Sequence, residues 1–174
     1  MTRLSGPIMQ NGYVVRDLDA AMAHWTGVLG VGPFFVTPRV PFAELTYRGA
    51  PSGAEIAVAV AFSGELQIEL VRQTNDAASV YRDHLAAHGE GLHHVGILSE
   101  RFDQDMAHAE AAGIGVAQAG RTASGLRFAY LDTERGHSGS MIELIECTPG
   151  MRRFLDRLKA AAQDWDGSDP VRRL

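Results

Sequence analysis

Gln10-Asn11-Gly12-Tyr13-Val14-Val15, followed by Asp17-Leu18-Asp19 and Met22-Ala23-His24, recurs further along the chain. The second copy reads His94-Val95-Gly96-Ile97-Leu98-Ser99, followed by Arg101-Phe102-Asp103 and Met106-Ala107-His108. The copies also close alike, on Ile68-Glu69-Leu70-Val71 and on Ile142-Glu143-Leu144-Ile145. Gln10, Glu69, His94 and Glu143 therefore hold corresponding positions in two modules, each of which offers two potential metal ligands.

Working outward from these anchors, each half shows the same order of elements. Ile8 to Val15 alternates as a strand, and Asp17 to about Gly30 reads as a capped helix with Leu18, Met22, Trp25 and Leu29 at helical spacing. Strand-like segments follow at 34–40, 42–47, 56–62 and 66–71, punctuated by Pro33, Pro41, Pro51-Ser52-Gly53 and Ser63-Gly64. Residues 77–88 read as a helix joining the halves. The second half runs strand 93–99, helix 102–112, a short strand at 115–118, and strands 126–132 and 140–147. The expectation is an α+β protein made of two tandem βαβββ modules, their strands forming a curved, mostly antiparallel sheet around a concave metal site. Residues 1–147 then form a single domain, with module one at about 8–72 and module two at about 93–147. Residues 148–174 form a C-terminal helical tail: Met151, Phe154, Leu155, Leu158 and Trp165 fall near one helical stripe, suited to packing on the protein's own sheet, and the residues from Gly167 are expected to be loose.

Strand alternation assigns the faces. Ile68 and Leu70 oppose Glu69, Ile142 and Leu144 oppose Glu143, Tyr13 and Val15 oppose Gln10, and Val95 and Ile97 oppose His94. If the apolar faces pack against the module helices, the four polar side chains project from the other, concave face, while His93 belongs to the helix side. Burying two glutamates beside a histidine is costly unless a cation is shared, which predicts a divalent metal.

Composition narrows the partners. The 174-residue chain is 45% hydrophobic, enough for a core, and its net charge of −5 with scattered basic residues gives no nucleic-acid footprint. No apolar run is long enough to span a bilayer, and no secretory leader is evident, so no membrane role is expected. A single cysteine, Cys147, allows no internal disulfide and suits a reducing cytoplasm.

The repeated anchors resemble the vicinal oxygen chelate superfamily, which includes glyoxalase I, methylmalonyl-CoA epimerase, extradiol dioxygenases and antibiotic-resistance proteins. The resemblance covers roughly residues 8–147. It implies that the first and last strand of each module supply one ligand each, at Gln10, Glu69, His94 and Glu143, a set similar to that of eukaryotic glyoxalase I. Asn75-Asp76, the helix after it and His88-Gly89-Glu90-Gly91-Leu92-His93-His94 are similar to the epimerase branch. The departures also inform: Glu69 is followed by Leu70-Val71-Arg72-Gln73-Thr74 rather than the Asn-Trp-Gly with which glyoxalase I binds glutathione. The stretch 57–62 lacks the second glutamate of the epimerases, and Gln10 replaces a histidine that iron-dependent ring cleavage requires.

One imidazole, two carboxylates and an amide oxygen suit Zn, Co, Ni or Mn with open positions for substrate, and the sequence does not choose among them. Such a metal would stabilise the charge formed when a carbon next to a chelated carbonyl loses its proton. Glu143 is the first choice for that proton transfer and Glu69 the second. His137, on the glycine-rich loop beside the last ligand strand, together with Tyr47 and Arg127, are candidates to orient substrate. Two function classes follow. One is a metal-dependent lyase or isomerase that enolises a small carbonyl, carboxylated or acyl-thioester substrate. The other is a binding or resistance protein that uses the same cavity without catalysis. Neither half should be stable alone, so the modules are expected to pair within one chain or across a homodimer.

Overall fold

A computed structural model describes residues 6–134 and 138–174. The first module comprises strand β1 (Ile8–Val14), helix α1 (Leu18–Gly27), and strands β2 (Phe34–Thr37), β3 (Phe42–Tyr47), β4 (Ala50–Pro51), β5 (Ile56–Ser63) and β6 (Leu66–Gln73). Helix α2 (Val80–Ala87) leads to strand β7 (Gly91–Ser99), helix α3 (Phe102–Ala111) and strands β8 (Val116–Thr122), β9 (Arg127–Leu131) and β10 (Met141–Glu146). Helix α4 (Pro149–Ala162) and strand β11 (Val171–Arg173) follow.

Local chemistry starts and stops the helices. The Asp17 carboxylate accepts a hydrogen bond from the Ala20 amide at 3.0 Å, Ser79 Oγ accepts from Arg82 at 3.1 Å, and Thr148 Oγ1 accepts from Met151 at 3.1 Å. Each satisfies one amide left without an intrahelical acceptor, worth roughly 1 kcal/mol. Pro149, just inside α4, loses nothing by having no N–H there. Beyond α2, Gly89 takes a positive φ of 80°, which halts the helix and frees the chain to enter β7.

Among the described residues the eleven strands form one sheet, in the order β11-β2-β5-β6-β1-β7-β10-β9-β8-β3-β4. Its centre carries the internal symmetry. β1 and β7 run antiparallel, β1 is flanked by parallel β6, and β7 is flanked by parallel β10. The two modules thus pair within one chain, and all four anchor residues come from these central strands. On one face α1 packs Leu18 and Met22 against Phe34, Ile68 and Leu70, and α3 packs Phe102 and Ala109 against Ile97, Leu131 and Leu144. On the other face, one apolar group holds Val14, Val71, Tyr81, Phe128 and Tyr130, and a second joins Val60 and Phe62 to Leu155 and Leu158 of α4. The tail helix therefore lies on its own sheet, as its stripe suggests.

Three features depart from the sequence reading. The β3–β4 hairpin leaves module one and pairs antiparallel with β8 of module two, from Phe42 opposite Thr122 to Tyr47 opposite Gln118. Pro38 and Pro41 cannot extend a ladder from β2, and β8 would otherwise be an open edge. The residues after Gly167 are not loose: β11 runs parallel to β2, anchored by Phe34 N to Pro170 O at 2.8 Å and Leu174 N to Val36 O at 3.1 Å. Trp165 fixes the approach, since a Cβ on Gly32 would come within 2.6 Å of its ring. The third departure concerns His93 and lies in the site.

Candidate metal centre

Two rows of side chains cross the four central strands. In one row, register places Glu69 beside Gly12, Gly12 beside His94, and His94 beside Met141; in the other it places Gln67 beside Gln10, Gln10 beside Gly96, and Gly96 beside Glu143. Each first-strand anchor thus faces a glycine of the opposite module. A Cβ on Gly12 would lie 1.8 Å from Cε1 of His94, and a Cβ on Gly96 would lie 2.2 Å from Oε1 of Gln10. The glycines leave room for His94 to lean across Gly12 toward Glu69 and for Gln10 to lean across Gly96 toward Glu143. The recurrence of glycine two positions after each anchor is therefore steric in origin.

The ligand atoms converge. Nε2 of His94 is 3.2 Å from Oε2 of Glu69 and 3.4 Å from Oε2 of Glu143, and suitable atoms of all three residues lie within 4.8 Å of one another. Nε2 of His94, Oε2 of Glu69, Oε2 of Glu143 and Oε1 of Gln10 are buried and make no hydrogen bond. Gln10 presents its oxygen for a definite reason: its Nε2 donates to Oε1 of Gln67 at 2.9 Å, leaving the amide oxygen unengaged. An unsatisfied buried oxygen such as that of Gln10 costs about 1–3 kcal/mol; protonated His94 offsets part of the cost of the two carboxylates, and a divalent cation would engage all four atoms. The donor set fits one.

His93 does not belong to the helix side as alternation implies. Between Gly12 opposite His94 and Tyr13 opposite Leu92 the register slips, so His93 is a bulge residue and its ring turns into the site. It sits 5.1 Å from the ring of His94, 5.1 Å from His84, 5.5 Å from Tyr81 and 5.7 Å from Tyr130. A matching slip before Gln10 leaves Met9 unpaired. Burial, then the neighbouring His94 and His84, hold the His93 pKa well below the usual histidine value, so His93 is neutral. Its Nδ1 lies 2.9 Å from Nδ1 of His94, and this contact occupies the Nδ1 side of the His94 ring and leaves Nε2 facing the carboxylates.

In the metal-free cluster, burial opposes charging of His94, but Glu143 and Glu69 outweigh it and hold its pKa up at about 9. Burial raises the Glu69 pKa, partly relieved by His94. Because a histidine is protonated below its pKa, the cluster still holds at pH 7 a proton that a metal must displace. Zinc binding at pH 7 is expected to release about one proton, with affinity climbing as pH rises toward 9. Calorimetry in buffers of different ionisation heat measures this, and zinc binding without proton release at pH 7 would show that His94 is neutral before the metal binds.

Beside the cluster opens a cavity of about 690 Å³, lined by Gln10, Glu69 and Glu143 among mostly apolar side chains. Tyr81 and Tyr130 also line it, their hydroxyls 2.9 Å apart, and burial holds both phenols protonated. Neither tyrosine stands out in the sequence, because nothing local distinguishes a cavity tyrosine from a core one; Gln67 was within reach, since it alternates onto the face of Glu69. The proposed orienting residues fall elsewhere. Tyr47 Oη donates to Asp83 at 2.5 Å on an exposed surface, and Arg127 is held by Asp103 and Glu146, each at 2.7 Å, against the ring of Phe102. Neither lines the cavity, because both are committed to carboxylates outside it. His137 lies outside the described residues. A second group, His84, His88 and Glu134, also brings ligand atoms within 4.8 Å of one another.

The comparisons with known proteins agree with this architecture. The family model described as the glyoxalase/bleomycin resistance protein/dioxygenase superfamily matches residues 9–130, and the chain belongs to that superfamily. Among solved structures it is similar to a hypothetical protein from Bacillus halodurans C-125, at TM-score 0.59 and 19% identity over 82% of this chain and 94% of that one. It is similar to methylmalonyl-CoA epimerase from Mycobacterium tuberculosis, at TM-score 0.56 and 19% identity over 87% and 97%. A Streptomyces coelicolor methylmalonyl-CoA epimerase variant in complex with 2-nitronate-propionyl-CoA gives TM-score 0.55 and 21% identity over 83% and 96%. At these identities the likeness is one of fold. No curated protein matches significantly. Among the described residues, no helix is long and apolar enough to cross a membrane.

Proposed function

We propose that this protein is a metal-dependent enzyme of the isomerase or lyase type that moves a proton at the carbon next to a substrate carbonyl. The observation that supports it most directly is the set of four unsatisfied buried ligand atoms, one from each symmetry-related anchor, two of them on carboxylates that open into a substrate-sized cavity. When bound, a divalent cation such as Zn, Co, Ni or Mn supplies Lewis acidity toward substrate oxygens. The chain's own residues supply the rest. Gln10 has no useful basicity, and His94 is committed by its Nδ1 contact to facing the carboxylates. The proton-accepting role falls to Glu143 or Glu69, with Glu143 preferred.

Strand β5, next to Glu69, directs Ile56, Val58 and Val60 into the cavity and carries no acid there, so among the described residues the two carboxylates of the cluster are the bases in reach. All four anchors come from one chain, so a homodimer is not needed to bring them together. The test begins with protein purified without an affinity tag. Near-stoichiometric divalent ion, retained when His84 and His88 are both replaced by alanine, is expected, together with solvent deuterium uptake by a chelating carbonyl compound. Protein that stays metal-free after incubation with Zn, Co, Ni and Mn would instead support small-molecule sequestration in the apolar cavity.

A further inference from the structure

We infer that the substrate is an uncharged, largely apolar molecule whose polar part is confined to a pair of neighbouring oxygens, rather than an acyl-CoA or a carboxylate. This rests on the proton-transfer reading above and specifies what enters the same site. The wall of the cavity is the observation. Among the described residues it contains no lysine, arginine or histidine, and the only ionisable side chains there besides the two ligand carboxylates are the buried phenols Tyr81 and Tyr130.

Charge balance sharpens the point. Two carboxylates, a neutral imidazole and an amide around a divalent cation would sum to zero, so the loaded site would offer an anionic group away from the metal no long-range net attraction. The arginines flanking the wall do not compensate. Arg39 is paired with Glu55, Arg121 with Glu44 and Arg152 with Glu100, at 2.7, 2.7 and 2.6 Å, and Lys159, the chain's one lysine, is paired with Glu65. Arg153 and Arg173 are exposed to solvent. An anionic substrate would surrender its hydration and, among the described residues, find no counter-charge in the wall itself.

What the wall does offer is rings and flexible apolar chains. Phe42, delivered by the crossing hairpin, and Phe128 lie with ring centroids 5.8 Å apart, while Met151 and Phe154 of α4 and Met9 of the first bulge close the other side. Aromatic faces and thioethers accept flat or irregular hydrocarbon without demanding polar groups. About 690 Å³ is in the range of pockets for drug-sized molecules. The substrate thus presents adjacent carbonyl and hydroxyl, or two carbonyl, oxygens on a ring-bearing or terpenoid-like body.

(R)-Benzoin tests this, being uncharged, with two phenyl rings, vicinal oxygens and a C–H on the hydroxyl-bearing carbon next to the carbonyl. In the expected step that C–H bond breaks, its proton passes to Glu143, and its electron pair moves onto the carbonyl oxygen. Return of a deuteron from solvent regenerates the ketone, labelled and racemised. Binding is read separately by displacement of the uncharged fluorophore N-phenyl-1-naphthylamine from zinc-loaded protein. Benzoin is expected to displace the fluorophore at least ~10-fold more effectively than 4-carboxybenzoin, and methylmalonyl-CoA to neither displace it nor exchange.

Thr37→Lys, on the half-exposed part of the wall, is expected to narrow or reverse the preference against the carboxylated probe. Thr122→Arg serves the same purpose should that variant fail to fold. Benzoin binding without exchange would leave the substrate class standing and remove the proton-transfer reading. Methylmalonyl-CoA or 4-carboxybenzoin binding as tightly as benzoin, or exchanging as fast, would overturn the inference while leaving that reading intact. Failure of the fluorophore and of benzoin to bind at all would overturn it as well.

Discussion

Glu143→Gln is expected to fold, to keep part of its metal and to lose proton exchange on any substrate found by at least ~100-fold, the low end of what a positioned base contributes. The amide preserves the shape and one coordinating oxygen but has almost no affinity for a proton. Glu143 lies beside Gly96 in the row that holds Gln10, so the new amide, close to the carboxylate in size and shape, faces the Gln10 side chain that fills the space over Gly96. Rates must be normalised to bound metal, because weaker metal binding imitates lost chemistry. A metal-loaded variant that exchanges at the wild-type rate would reduce Glu143 to a structural ligand and shift the base to Glu69; a silent Glu69→Gln as well would end the proton-transfer mechanism.

The second large effect is steric. Gly12→Ala puts a methyl group where the His94 ring lies, at 1.8 Å from Cε1 and 2.1 Å from Nε2. That ring is fully buried and held by His93 and by Tyr130, whose ring centroid is 5.0 Å away, so it has nowhere to go. The expected outcome is a loss of about 1–3 kcal/mol in stability together with at least a ~10-fold loss of metal affinity. Gly96→Ala meets the end of the Gln10 side chain and should cost less, since an amide can rotate aside. Gly27→Ala, where an added Cβ finds no atom within 4 Å, is the control and should be close to neutral. Calorimetric melting and metal titration of the three variants measure both quantities. Wild-type melting and metal affinity in Gly12→Ala would show that the ring is not confined.

Much of the site was legible because repetition supplied what a single copy cannot. Glu69 or Glu143 alone is an ordinary strand glutamate, but two copies of one motif restrict the fold to two similar modules and put corresponding residues on corresponding strands. Period-two alternation then assigns faces without tertiary information, and it puts Glu69, His94 and Glu143 on the one face where their side chains lie near one another. Alternation failed at His93 because a bulge breaks its period, and a bulge depends on how two strands pair. Tyr47 and Arg127 went astray for a related reason. Which carboxylate an arginine or a phenol meets is set by strands and helices distant in sequence, here Asp83 of α2 for Tyr47, and Asp103 of α3 and Glu146 of β10 for Arg127.

The sequence by itself determined the two-module plan, the four anchors and the side of the sheet on which they stand, because local periodicity and internal repetition need only neighbours along the chain. The tertiary structure alone decided that β3 and β4 cross to the other module, that β11 closes the edge at β2, and that α4 lies across the anchor-bearing face to wall the cavity. These are choices among open edges and uncovered apolar surfaces. Many segments satisfy them equally well on local grounds, and the outcome is fixed only when the whole chain competes for the same ladder positions and the same buried area.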